Sequence, residues 1–286
     1  MTNRLLVATD LDRTLLPNGP QIESPGARDM LTRLVTHPRI LLAYVSGRHR
    51  ELVEEAMAEW SLPRPDRVIG DVGTTIWQVP AAGEWIRDSA WEDAIGGDWA
   101  GHTAAQLAER LAGFPELRLQ PPEKQNRHKL SYFLPADTDM NALEPRLQAR
   151  LGDAGIAARF VFSVDENEHQ GLLDVLPERA SKLHAIEAVA EDLGLGPEAL
   201  VFCGDSGNDL EVLISALPAV LVANATETVR EAALAGARAA GTADRLYCAR
   251  GGFRGMNGCY AAGMLEGIAH FHPWTAALLE AKAGAA

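Results

Sequence analysis

The stretch LLVATDLDRTLL, residues 5–16, places an apolar run directly before two acids, Asp10 and Asp12. A run that is apolar on both faces fits a strand of a parallel sheet covered by helices. Three further runs share this form: ILLAYV leads to Ser46, ALVFCG to Asp205 and AVLVA to Asn224. Between them lie helical stripes. Leu52, Val53, Ala56, Met57 and Trp60 form one, and Leu183, Ile186, Val189, Ala190 and Leu193 another. Strands alternating with helices predict an α/β doubly wound fold with a mostly parallel sheet. Ligands of such folds bind beyond the carboxyl ends of the strands, and all four polar residues sit at that edge.

The middle of the chain has another texture. Ile156, Ala158, Phe160, Phe162 and Val164 alternate at period two, the pattern of a half-buried antiparallel strand. KLSYFL (129–134) reads as a second strand, and Met140, Leu143, Leu147 and Leu151 recur at helical spacing. These features predict an α+β module at 81–177, inserted into a core made of 1–80 and 178–286. Linkers are expected at VPAAGEW (79–85) and LPERAS (176–181). The Ala-rich end, TAALLEAKAGAA, is expected to fray.

Composition narrows the function. Of 286 residues, 47% are apolar, enough for a substantial core, and the net charge is -13. So acidic a chain argues against nucleic acid as a partner and against docking on anionic lipid. Its three cysteines are widely spaced and odd in number, which favours reduced thiols over a disulfide framework or zinc site. No apolar stretch is long enough to span a bilayer, and the N-terminus lacks the pattern of a secretion signal. A cytoplasmic protein is expected.

Two readings of Asp10 and Asp12 stand at this point. Aspartates are common at turns, yet like charges held close need a cation, a shared proton or a function. GDSGND (204–209) adds Asp205 and Asp209 around paired glycines and Asn208, entering a helix with Leu210, Leu213 and Ile214 on one side. A helix start explains one Asp, but not two together with Asn208. Ser46 in YVSGR is expected to cap the next helix, whose free N–H groups also suit phosphate. Lys182 precedes the amphipathic helix that starts at Leu183. Three carboxylates around one point repel by several kcal/mol. Mg²⁺ relieves this, because it prefers oxygen ligands and keeps open positions for water or phosphate.

The order D-x-D-x-T, strand-end Ser, Lys, GDSGND resembles the haloacid dehalogenase superfamily of phosphatases, and an insertion between the Ser and Lys motifs resembles its subgroup with an α+β (type IIB) cap. DLDRTLL, VSGR, DVGTTIW, HKLSYFL, DVLPERASK, FCGDSGND and GCYAAGMLEGIAHF follow the order of the sucrose-6-phosphate phosphatase family. LPERASK and the acidic SVDENEHQGLLDV depart from the family pattern. The resemblance implies a Mg²⁺-dependent sugar phosphatase acting through an aspartyl-phosphate. Asp10 would be the nucleophile and Asp12 the acid and base. Asp10, the Asp12 carbonyl and Asp205 would hold the metal, supported by Asp209. Ser46, Gly47, Lys182 and Asn208 would hold phosphate, and Thr14 would brace the loop. Sugar-contact candidates are Arg48, Thr74, Lys129, Asp165 and Glu166, with His128 and Trp77 weaker.

Sucrose 6-phosphate is the expected substrate. Mannosylfructose phosphate, glucosylglycerol phosphate and the glycosyl-3-phosphoglycerates are alternatives. Other readings are a phosphomannomutase-like phosphotransferase and a non-catalytic partner of a glycosyltransferase. The resemblance also allows association with a sugar-phosphate synthase.

Overall fold

The computed structural model describes residues 4–165 and 168–280. In chain order the elements are β1 (Leu5–Thr9), α1 (Ala27–Val35), β2 (Ile40–Val45), α2 (Arg50–Glu59), β3 (Arg67–Gly70), β4 (Thr75–Gln78) and β5 (Ile86–Arg87), followed by α3 (Ser89–Gly96), α4 (Ala104–Leu111), β6 (Arg118–Leu119), β7 (Leu130–Pro135), α5 (Met140–Gly152), β8 (Ala158–Asp165) and β9 (Gln170–Pro177). The remainder comprises α6 (Lys182–Asp192), β10 (Leu200–Gly204), α7 (Leu210–Leu213), β11 (Ala219–Leu221), α8 (Glu227–Ala240), β12 (Leu246–Cys248), α9 (Ala261–Phe271) and α10 (Trp274–Leu278).

The chain forms two compact units: a core of 1–87 and 185–286, and a second unit, Asp88–His184. The second boundary falls in the first turn of α6. The expected linker 79–85 instead joins β4 to β5 within the core sheet.

The core holds an eight-stranded sheet in the order β12-β11-β10-β1-β2-β3-β4-β5. From β12 to β3 all neighbours are parallel, and β4 and β5 add an antiparallel edge. The four apolar runs of the sequence are β1, β2, β10 and β11. β1, β2 and β10 are buried along their entire lengths, as strands covered on both faces must be. Fully burying a Leu or Val side chain contributes about 1.5–3 kcal/mol, and the core cluster draws on β1, β2, α1, α2 and α9.

The second unit holds a four-stranded antiparallel sheet, β6-β7-β9-β8. Its apolar cluster takes Leu130, Tyr132 and Leu134 from β7, Leu173 and Val175 from β9, and Leu143, Leu147 and Leu151 from α5. The period-two and helical patterns read from the sequence are therefore the two sides of one core. Asp139 caps α5 by accepting from the N–H groups of Asn141 and Ala142.

Candidate active site

β10, β1 and β2 lie side by side and run the same way. Their next residues, Asp205, Asp10 and Ser46, therefore emerge at one edge of the sheet. All three are buried. Asp10 N–H donates to the Cys203 carbonyl at 2.9 Å, and Ser46 N–H to the Ile69 carbonyl at 2.9 Å. These bonds continue the strand ladders past their ends and hold each residue to its neighbour.

Asp10, Asp205 and Asp209 form a buried acidic group whose carboxylate oxygens lie within 4.8 Å of one another. Each member has a distinct surrounding. Asp209 Oδ2 accepts from the N–H groups of Asp205 (3.0 Å) and Ser206 (3.1 Å). Asp205 Oδ1 accepts from the Thr14 hydroxyl at 3.1 Å, and Arg13 Nε lies 3.6 Å from its Oδ2. Thr14 thus bridges the first loop to the second acidic cluster. Gly204 is required by this packing, because a Cβ there would lie 2.6 Å from Asp209 Cγ. The donor set is all oxygen, anionic and close, which fits a hard divalent cation such as Mg²⁺. It does not fit the nitrogen and sulfur preferences of zinc.

Asp12 goes elsewhere. The Leu11 carbonyl accepts from the N–H groups of Thr14, Leu15 and Leu16, and Arg13 adopts φ 60°. This turn takes the Asp12 carboxylate out of the acidic group. Arg48 Nε donates to its Oδ2 at 2.8 Å and Arg48 Nη2 to its Oδ1 at 2.7 Å. Asn18 Nδ2 donates to Oδ1 as well, at 2.8 Å. Hydrogen bonding to Asp12, above all, pushes the Arg48 guanidinium above its ordinary range. Burial opposes the shift, and the charges of Asp12 and Asp10 add to it. Arg48, expected at the sugar, has its fork on Asp12 here.

The helix after β2 departs from expectation. Ser46 does not cap it: α2 begins at Arg50, and His49 occupies the cap position without a side-chain bond. The Ser46 hydroxyl instead accepts from Arg48 N–H at 3.2 Å. The SGR loop is longer than the pattern implied because its backbone is tied to the β3–β4 connection. Asp71 N–H donates to the Arg48 carbonyl (3.0 Å) and Val72 N–H to the Ser46 carbonyl (3.2 Å). Asp71, Val72 and Gly73 all adopt positive φ: 51°, 61° and 94°. Such a run is strained for residues with a Cβ and persists only where its surroundings hold it. Thr74 and Thr75 brace it with hydroxyl bonds to the Asp71 carbonyl (3.0 Å) and carboxylate (3.2 Å). Thr74 is therefore a buried strut of this turn.

After β10, the expected helix start is a single tight turn at 207–209 followed by the one-turn α7. Ser206 and Asp209 bond each other reciprocally across it. Asn208 is exposed and accepts from the Ser206 hydroxyl at 3.0 Å. Gly47 is exposed in the SGR loop. Lys182 is buried as the first residue of α6. In the second unit, Lys129 is buried next to β7. Asp165 closes β8, and Glu166 lies outside the described residues. Trp77 is half-buried in β4, beneath the guanidinium of Arg50 at 5.1 Å. His128 is buried beside Trp99, ring centroids 5.8 Å apart.

Several supporting residues carry no motif of their own. Asn224, three residues past β11, donates to the Arg13 carbonyl at 2.6 Å and accepts from Tyr260 N–H at 2.8 Å. Its position at a strand end was the one available signal. Asn18 lies in the LPNG turn, and nothing in that tetrapeptide points to Asp12. On β7 and β9 of the second unit, the face opposite the apolar cluster carries Ser131 and Asp174, joined by a bond from hydroxyl to carboxylate. Gln125 binds the Ser131 backbone on both sides, accepting from its N–H at 2.7 Å and donating to its carbonyl at 2.9 Å.

Comparison with known proteins follows the same lines. The family model described as sucrose-6F-phosphate phosphohydrolase matches residues 3–272. A protein from Nitrosococcus oceani described as a HAD-like hydrolase is 52% identical over 98% of this chain and 75% of its own length. Sucrose-phosphatase 1 of Nicotiana tabacum is 29% identical over 94% of this chain but only 59% of its own length, and this chain spans about half of several other plant sucrose-phosphatases. The mannosylfructose-phosphate phosphatase of Agrobacterium fabrum is 32% identical over 77% of this chain and 83% of its own. Among solved structures, the sucrose-phosphatase of Synechocystis sp. PCC6803, in complex with sucrose and phosphate, aligns over 94% of this chain and 98% of its own with TM-score 0.73 and 27% identity. Among the described residues, no helix is long and apolar enough to cross a membrane.

Proposed function

The chain belongs to the sucrose-6F-phosphate phosphohydrolase family, and on that premise we propose that it hydrolyses a sugar phosphate, foremost sucrose 6-phosphate, with Mg²⁺ through an aspartyl-phosphate. The observation that carries this reading is the buried Asp10, Asp205 and Asp209 group beyond three adjacent parallel strands. Mannosylfructose phosphate is the second reading, favoured by the Agrobacterium relative, which this chain covers over most of its length.

In the first half-reaction a carboxylate oxygen of Asp10 attacks phosphorus, and the bond from phosphorus to the sugar oxygen breaks. Asp12 gives its proton to that departing oxygen. In the second, Asp12 takes a proton from water as the water oxygen attacks phosphorus. The bond to Asp10 breaks, and inorganic phosphate leaves. One residue serves both steps because each leaves it in the state the other requires. Bound at Asp10, Asp205 and the Asp12 carbonyl, with Asp209 orienting the loop, Mg²⁺ would supply charge neutralisation on the phosphoryl oxygens. Ser46 and Asn208 are assigned to phosphate and Lys182 to its charge by the family resemblance.

The test is a panel of sugar phosphates incubated with and without Mg²⁺, ranked by kcat/KM. Release of phosphate from sucrose 6-phosphate above all others supports the first reading. A higher rank for mannosylfructose phosphate moves the assignment to the second. Isomerisation of a hexose 1-phosphate without phosphate release would overturn both.

A further inference from the structure

Arg48 is tied at both ends. Its guanidinium forks onto the two oxygens of Asp12, at 2.8 and 2.7 Å. Its carbonyl is held by Asp71 N–H at 3.0 Å, inside the strained β3–β4 turn. Gly70 lets β3 come this close, since a Cβ there would lie 3.1 Å from the Arg48 carbonyl. Asn18 completes the clamp with a 2.8 Å bond to Asp12 Oδ1. The Asp12 side chain is 42% exposed, so packing alone does not fix its direction. A bidentate Arg–carboxylate pair does, because its planar fork sets orientation as well as distance.

We propose that Arg48 is the positioning residue of Asp12: seated on the strained Asp71–Gly73 turn and joined by Asn18, it aims the Asp12 carboxylate for proton transfer. The proposal rests on the reading of Asp12 as the proton carrier of a phosphatase. It separates Arg48 from the sugar-contact residues. A sugar ligand would govern substrate binding, whereas a residue acting through Asp12 governs the chemical step.

The experiment is a double-mutant cycle on the full chain with sucrose 6-phosphate and Mg²⁺, using Arg48→Ala, Asp12→Asn and the pair, with kcat and KM measured separately. Arg48→Ala is expected to lower kcat by about tenfold to hundredfold, a part of the roughly hundredfold to ten-thousandfold that positioned acid–base catalysis contributes, while KM changes by less than about threefold. In the Asp12→Asn background, Arg48→Ala should cost nothing further, the non-additivity expected of residues that act as a unit. Arg48→Lys, which restores charge and one bond, should recover part of kcat. Thermal melts identify any variant that fails to fold, and Arg48→Lys then carries the cycle in place of Arg48→Ala. A raised KM with kcat unchanged, or full additivity with Asp12→Asn, overturns the proposal. Should the wild-type protein release no phosphate from any substrate, the phosphatase reading fails by itself. A crystal structure of Arg48→Ala then decides: an unchanged Asp12 rotamer overturns the proposal, and a displaced one supports the clamp.

Discussion

The core unit and the second unit put their polar residues in different places. In the core, β1, β2 and β10 are buried on both faces, so the hydroxyls along them, Thr9 and Tyr44, are bonded to backbone carbonyls, and charged groups occur only past their ends, where Asp10 and Asp205 emerge with Ser46. In the second unit, β7 and β9 have one apolar face, and Ser131 and Asp174 sit in mid-strand on the other. A covered parallel sheet leaves only its edge for chemistry. The antiparallel sheet instead carries its polar pair in mid-strand, with Ser131 buried and Asp174 half-buried. The two cores are thus built differently, and that difference can be broken experimentally.

The largest effect is expected at the core edge. Asp10→Asn should abolish phosphate release, by more than about a thousandfold if nucleophilic attack is lost, with the melting curve little changed. Substantial turnover in that variant would sink the mechanism. Metal removal comes next. Chelation should lower kcat by about a hundredfold or more, since metal stabilisation of transition-state charge amounts to several kcal/mol, and Mg²⁺ should restore it. Asp205→Ala should mimic chelation without rescue.

Stability changes test the comparison next. Leu147→Ala, in the second unit's own core, should cost about 2–5 kcal/mol, and hydrogen exchange should show the loss within 88–184. Spread of that loss through β1, β2 and β10 would argue against two separate cores. Gly204→Ala should cost about 1–3 kcal/mol by overpacking against Asp209. Denaturant midpoints would check it, together with weaker Mg²⁺ activation. The smallest effect belongs to the polar face. Asp174→Ala should cost about 0.5–1.5 kcal/mol of stability, the scale of one hydrogen bond, because the Ser131 hydroxyl keeps the Lys124 carbonyl as a partner, and a denaturant midpoint would read it.

Much of this was legible in the chain. Periodicity identified the four central parallel strands, the alternating β8 and the α5 stripe, because each pattern follows from which faces are buried. The short edge strands β5 and β12 escaped notice, being two and three residues long, too short for any period to register. Ser before a helical stripe has an ordinary use as a cap, and the sequence leaves that use of Ser46 open beside phosphate binding. The backbone bonds from Asp71 and Val72 that move the helix start to Arg50 join segments with no common pattern. Asn18 escaped for another reason: its partner Asp12 is only six residues away, but no pattern marks the pair. Asn224 was visible as a strand-end residue, and only its partner Arg13, far along the chain, was not.

By itself, then, the sequence determined the α/β class, the inserted module and the identity of the acidic residues, since these depend on local pattern and on residue type. Only the tertiary structure decided which acids share a site. Asp10 joins Asp205 and Asp209 because β1 pairs with β10, a contact across almost two hundred residues of chain. Asp12, two residues from Asp10, is drawn away by the turn at Arg13 and held by Arg48. Neighbours in sequence part, and distant residues meet, because strand pairing and turn geometry set positions that composition cannot encode.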